Sequence, residues 1–155
     1  MPSVILAPLP RDAVGRVAHL NLPAHQSEFV APIAEMVDEP DTLQDFHLAL
    51  QADDPVGFFK IDRDYARRIT RLPPAAHGFR GLLIGGQYQG QGLGRAMLMA
   101  LPGYIRQQYG VSTLWLSVDE SNTSAISLYG ACGWCKDADP HRGRIGLEQV
   151  MRLDI

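Results

Sequence analysis

Cysteine is scarce. The 155 residues hold two, Cys132 and Cys135, too few for a disulfide scaffold and in keeping with a reducing, cytoplasmic setting. They sit as Cys132-Gly133-Trp134-Cys135, but the second pair of ligands that a zinc site needs is missing. No metal is expected, and Cys132 reads as a buried position closing a helix. Long apolar runs are absent too. No uncharged stretch reaches the ~18 residues of a membrane span, and Pro8 and Pro10 break the first apolar run, so it makes no signal peptide. Lys and Arg are missing altogether from residues 17–59, which carry eight acids: Glu28, Glu35, Asp38, Glu39, Asp41, Asp45, Asp53 and Asp54. Residues 60–155 carry twelve bases against eight acids, and the whole chain sums to −3. That balance excludes a generally basic nucleic-acid binder, and the basic residues at 60–80 come without interleaved aromatics. Repeats and low-complexity tracts are also lacking.

What is present suits one globular unit over residues 1–155, with 46% apolar residues and length enough for a self-sufficient core. Nine of the eleven prolines lie before residue 75 and divide that half into short elements. Ser3–Leu9 reads as a strand and Arg11–Leu20 as a short helix. Pro23–Glu39 reads as a second, broken helix, with Phe29, Val30, Ile33, Ala34 and Val37 at helical spacing. Phe46–Gln51 and Val56–Ile61 form a hairpin around Ala52-Asp53-Asp54-Pro55. Tyr65–Ala76 is a connection without an assigned structure. Gly78–Gly86 is a buried strand, and Leu93–Tyr109 the longest helix, which Pro102 should kink or shorten. Thr113–Val118 alternates into a strand, Ser121–Cys132 is a helix with Gly133 at its left-handed cap, and Glu148–Leu153 is a last strand. This order describes an α+β fold with some parallel pairing across the two late helices.

Seven of the fifteen glycines fall between Gly78 and Gly94, densest in Gln89-Gly90-Gln91-Gly92-Leu93-Gly94-Arg95. Such a run, after a strand and opening a helix, exposes backbone N–H groups at the positive end of the helix dipole. A phosphate or pyrophosphate is its natural guest, and Arg95 can add a charged contact. Two nucleotide motifs fail. The dinucleotide fingerprint needs glycine where Arg95 stands, and GxxxxGK[ST] occurs nowhere.

Downstream, Asn122 is followed by Ala125, Leu128-Tyr129 and Gly133-Trp134. Together with Gln89-x-x-Gly92-x-Gly94, this pattern resembles the GNAT superfamily of acyl-CoA N-acyltransferases. Its phosphate signature is Gln/Arg-x-x-Gly-x-Gly/Ala, and its second block runs Asn, Ala, Leu-Tyr, Gly-Phe, with Trp134 here replacing Phe. Gln26-x-x-Phe29-Val30 and Asp54-Pro55-Val56-Gly57-Phe58 are similar, more weakly, to small bacterial amine and polyamine acetyltransferases. The resemblance implies a central mixed, mostly antiparallel sheet with a splayed parallel pair, flanked by about four helices. It implies that Leu82, Leu83 and Ile84 offer backbone groups to the pantetheine arm of acetyl-CoA. The amides of Gln89, Gly90, Gln91, Gly92, Leu93, Gly94 and Arg95 would hold the pyrophosphate. Asn122 would bond the cofactor arm, cap the following helix, or do both. Tyr129 would sit near the thioester sulfur.

The implied reaction is direct attack of an amine on acetyl-CoA in a ternary complex. Amines of lysine type have pKa ~10.4, so a proton must leave before attack. Leu83 or Ile84 N–H is the candidate oxyanion donor, and Tyr129 the general acid to the thiolate. The base stays open among His25, His77, His141, Asp119, Glu120, Glu148 and a water chain. The acidic first third would border the acceptor entrance and attract a small cationic amine or polyamine. Acetylation of a protein N-terminus or lysine, or acyl-CoA binding without catalysis, are the competing readings. Neither nucleic acid nor membrane is expected as a partner, and dimerisation, common in the superfamily, is left open.

Overall fold

The computed structural model describes residues 2–26, 30–137, 139–143 and 146–155. Strand β1 (Ile5–Pro8) leads to a 3-10 turn at Arg11–Val17, a second at Ala24–Gln26, and the one-turn helix α1 (Ile33–Met36). Then come β2 (Gln44–Gln51), β3 (Asp54–Asp62), a 3-10 turn at Tyr65–Arg67, β4 (His77–Ile84) and a 3-10 turn at Gly86–Tyr88. Helix α2 (Leu93–Tyr109), β5 (Thr113–Asp119), α3 (Thr123–Ala131), β6 (Cys135–Lys136), β7 (His141–Arg142) and β8 (Leu147–Asp154) complete the chain. The strands form one sheet in the order β1-β2-β3-β4-β5-β8-β6, with β7 also on β8. All its pairs are antiparallel except β4–β5.

Two expectations change. Among the described residues of Pro23–Glu39 only a 3-10 turn and the one-turn α1 are helical: Pro32 stands extended as the N-cap of α1 (φ −57°, ψ 150°), which ends four residues later. Prolines 23, 32 and 40 fragment the segment, and only Ile33 and Met36 of α1 are buried. Glu28 and Phe29 lie outside the described residues. The first helix, likewise, is a 3-10 turn with Ala13 off helical geometry. Helix α2, by contrast, runs through Pro102 without shortening. Losing one N–H costs roughly 3 kcal/mol, while burying Leu93, Leu98, Leu101 and Ile105 stabilises by roughly 1.5–3 kcal/mol each. Packing wins.

The hairpin turn is tighter than the sequence suggested. Ala52 and Asp53 both take positive φ (48° and 70°), as a two-residue primed turn requires. Gly133 caps α3 with φ 97°. The 65–76 connection proves to be structural, because Tyr65, Ile69, Leu72 and Ala76 bury against Trp115 and Val150 on one sheet face. Helices α2 and α3 pack on the other face through Phe59, Phe79, Leu114 and Leu116.

A buried polar network ties β2 to the end of α2. His47, 3% exposed, bonds Tyr104 Oη through Nδ1 (2.6 Å) and Tyr109 Oη through Nε2 (2.7 Å). Tyr109 donates to Asp45 Oδ2 at 2.8 Å, so its oxygen accepts from Nε2–H and leaves Nδ1 to accept from Tyr104. The neutral imidazole is thus fully satisfied. Burial pushes its pKa down to about 4 from 6.5, against a smaller opposing pull from Asp45. The unfolded chain takes up this proton near pH 6.5 and the native state resists until about 4. The contribution is therefore complete above 6.5 and lost as pH falls through that window, by at most about 3 kcal/mol. Urea midpoints followed from pH 7 to 4 should fall less steeply in His47→Gln than in the wild type; parallel curves would refute this assignment.

Candidate active site

Strands β4 and β5 pair only where His77 meets Leu114 and Gly78 meets Trp115. Beyond that point each keeps its other neighbour. β3 stays on β4 as far as Gly57–Ile84, and β8 stays on β5 along its whole length. The strands diverge and leave the β5-side edge of β4 without a strand partner, a row of backbone groups suited to an extended guest. On the other edge, Phe59 faces two residues of β4, because Phe58 pairs Leu83 while Lys60 pairs Arg80. This bulge lies at Gly81 and Leu82, with Gly81 at φ +66°, and bends β4 at the mouth of the split.

A cavity of about 940 Å³ occupies the split. Leu82, Leu116, Val118, Asn122, Ala125 and Tyr129 line it from the α2–α3 side, while Met36, Tyr65, Ile69, Arg80, Ser117 and Glu148 line it from the other. Two reactants entering from opposite faces of the sheet could meet there. That is the arrangement a bimolecular transfer needs.

Past Ile84 the chain enters the glycine loop. Gly90 and Gly92 take φ +76° and +79°, and Gly92 is the N-cap of α2. Either conformation strains any other residue. Helix α2 begins with no side-chain cap and no acid in its first turn, so the first amides, from Leu93 through Arg95, have no intrahelical acceptor and face positive potential. Gly90, Gln91, Gly92 and Arg95 are exposed, while the Leu93 side chain is buried, leaving only its amide for a ligand. The Gln89 side chain turns inward, donating to Ile84 O at 3.0 Å. It ties the loop to the end of β4. Gly94 packs with its Cβ position 3.9 Å from both Ile84 and Leu128.

Asn122 is the N-cap of α3, its Oδ1 accepting from Ala125 N at 3.3 Å. Its NH₂ group has no partner among the described residues and belongs to a side chain on the cavity wall. Seven residues on, Tyr129 packs edge-on to Trp134 (5.8 Å), and its hydroxyl bonds no described residue. Burial raises its pKa above the ordinary 10, with a further push from Tyr65. The phenol keeps its proton at neutral pH.

The candidate bases separate. Asp119, His141 and Glu148 line the cavity; His25, His77 and Glu120 do not. His77 bonds Ala75 O (2.9 Å) and lies edge-on to Tyr109. Asp119 is held by the hydroxyl and N–H of Ser121, which keep its carboxyl below the usual range. Tyr65, Ser117 and Arg80 were not singled out from the sequence. Tyr65 stood in the unassigned connection, and alternation on β5 was the one signal for Ser117.

Five carboxylates line the cavity (Glu35, Asp38, Glu39, Asp119, Glu148), and so do five cations (Lys60, Arg67, Arg68, Arg80, Arg142). The acidic first third is therefore not a uniform field. Folding pairs Glu39 with Lys60 (3.5 Å), Asp45 with Arg63 (3.0 Å) and Asp41 with Arg67 (2.8 Å). Arg67 and Arg68 also reach the fully buried Asp62. Burial pushes its carboxyl up, but hydrogen bonds from Asp64 N–H, Gln44 and Arg68 outweigh that and hold it low. Glu35, Asp38 and Glu148 make no ion pair with a described residue, nor do Arg80 and Arg142.

Known proteins share this fold. The chain is 36% identical over 104 residues to a mycothiol acetyltransferase of Renibacterium salmoninarum, covering 66% of this chain and 26% of that protein. It is 51% identical over 47 residues to the [ribosomal protein bS18]-alanine N-acetyltransferase of Escherichia coli, covering 30% of this chain and 31% of that one. It thus spans about a quarter to a third of these relatives. Among solved structures, an aminoglycoside acetyltransferase with coenzyme A and kanamycin superposes with TM-score 0.77 at 17% identity, covering 98% of this chain and 95% of that one. A spermidine N-acetyltransferase chimera from Vibrio cholerae and hSSAT gives 0.71 at 17%, with 98% and 95% covered. The model of the acetyltransferase (GNAT) family matches residues 16–134, a stretch that takes in the strand split, the glycine loop, Asn122 and Tyr129. The chain belongs to that family.

Proposed function

We propose that residues 1–155 form one N-acetyltransferase domain that moves the acetyl group of acetyl-CoA to a primary amine by direct attack. The observation that carries this is the cavity through the split sheet, with the unpartnered Tyr129 hydroxyl on its wall. In this reading the amides from Gly90 to Arg95 hold the pyrophosphate. The free edge at Leu82, Leu83 and Ile84 bonds the pantetheine arm, joined by the Asn122 NH₂. An N–H of Leu83 or Ile84 meets the developing oxyanion. Tyr129, protonated at neutral pH, gives its proton to the departing thiolate. Gln89 acts by positioning the loop.

The acceptor is a small cationic amine or polyamine. Glu35 and Asp38, exposed and without ion-pair partners at the cavity, supply the attraction. The like-folded spermidine and aminoglycoside acetyltransferases support an amine as the class. The 47-residue match to an alanine N-acetyltransferase favours a second reading, the α-amine of a protein.

Tyr129→Phe should lower kcat by ~10²–10⁴ while the Kd for acetyl-CoA changes by no more than about threefold; steady-state assay and calorimetry read the two, and unchanged turnover removes Tyr129 from the mechanism. A panel of polyamines, monoamines, amino acids and peptides, scored by CoA release, should favour polycationic small amines. Their KM should rise between low and high salt, since the attraction is screened. A salt-independent preference for neutral or acidic amino acids would contradict this acceptor class, and acetyl-CoA binding without turnover on any amine would contradict the enzyme.

A further inference from the structure

Opposite Tyr129, across the split, three oxygen-bearing side chains line the same face of the cavity. Tyr65 is 2% exposed and lies against Gly78, where a Cβ would sit 2.3 Å from its ring. Only glycine lets the ring pack on β4 at the last residue before the strands diverge. The Tyr65 hydroxyl shares a 2.7 Å hydrogen bond with Ser117 Oγ, and both residues line the cavity. Ser117 pairs with Val150, and Asp119, two residues on, pairs with Glu148. Ser117 and Glu148 therefore sit on the same sheet face as diagonal neighbours. Gly143 closes over Glu148, since a Cβ there would fall 2.1 Å from its carboxyl carbon. The carboxylate bonds no described residue. Its charge opposes ionisation of Tyr65, and Tyr65 in turn opposes that of Tyr129, so the three groups lie within electrostatic reach.

A primary ammonium presents three N–H donors. The Tyr65–Ser117 pair spends one hydroxyl proton on its own bond and keeps a lone pair on each oxygen. With the Glu148 carboxylate, three acceptors face one space. We propose that Tyr65, Ser117 and Glu148 seat the acceptor's ammonium group and that Glu148 takes its first proton; this rests on reading the protein as an amine N-acetyltransferase. One N–H bond breaks, the proton passes to the carboxylate, and the freed lone pair forms the N–C bond to the thioester carbonyl. As the C–S bond breaks, sulfur takes the Tyr129 proton, and Tyr129 recovers one from the acylated nitrogen. Glu148 later returns its proton to water. The ammonium thus loses two protons, one to solvent and one to CoA.

Asp119 on β5 and His141 on β7 pair with Glu148 in register, and Arg142 on β7, Tyr65, Arg67 and Arg68 on the connection, and Arg80 on β4 line the same cavity. His141 is its register partner and could mimic its pH dependence, so it needs its own variant. The test is kcat/KM against pH from 6 to 10 with the best amine of the panel. Glu148→Gln should lose about 100-fold or more at pH 7, and the deficit should close toward pH 10 as the free amine appears. His141→Gln should keep the wild-type profile. Tyr65→Phe and Ser117→Ala should raise KM for the amine about tenfold with acetyl-CoA Kd unchanged. Thermal melts and that Kd show that each variant is folded. A Glu148→Gln deficit that is small, or constant across pH, overturns the seat while the enzyme stands. A wild type that binds acetyl-CoA but releases no CoA with any amine overturns the enzyme reading and the seat with it.

Discussion

Parallel pairing between β4 and β5 ends at Gly78 and Trp115, and the rest of the site is organised around that interruption. A sheet interior does not ordinarily leave ladder groups unpaired, because each buried and unsatisfied one is costly. Here the divergence is held from outside. β3 grips one strand, β8 grips the other, and the bulge at Gly81 and Leu82 bends β4 away. The opening so made connects the two faces of the sheet, a joint that a continuous sheet would have sealed.

The phenols that pack on the core show the contrast between framework and site. Tyr104 and Tyr109 have their hydroxyls engaged by His47 and Asp45, and the network fastens α2 to β2. Tyr129, half-buried on the cavity wall, bonds no described residue through its hydroxyl. Its hydroxyl belongs to the cavity wall, open to a ligand. A polar group left wanting in the apo protein is a usual sign that its partner is a substrate.

Charge follows a related pattern. The chain separates an acidic first third from a basic remainder, yet the β2–β3 hairpin and the 65–76 connection fold the two together. Glu39, Asp41 and Asp45 meet Lys60, Arg67 and Arg63, and that part of the apparent field is spent on structure. Of the acids that make no ion pair with a described residue, Glu35 and Asp38 lie at the cavity's edge and Glu148 deeper in.

The sequence alone determined what is local. The limits of α2, the cap at Gly133, the hairpin and the glycine loop with its exposed amides were all legible, because helix periodicity, turn chemistry and positive φ depend on a few adjacent residues. Asn122 and Tyr129, the cap and a residue of α3, stood out through the resemblance of their spacing to the GNAT signature. Pro23–Glu39 misled, since helical spacing of apolar residues cannot outweigh Pro32 within it and the prolines at its ends, Pro23 and Pro40. Tyr65, Ser117 and Glu148 could not be joined from the chain. Fifty-two residues separate the first two, and only the β5–β8 register brings the third alongside. Which charges remain free was likewise decided by tertiary structure, because pairing depends on distances between strands that sequence order does not specify.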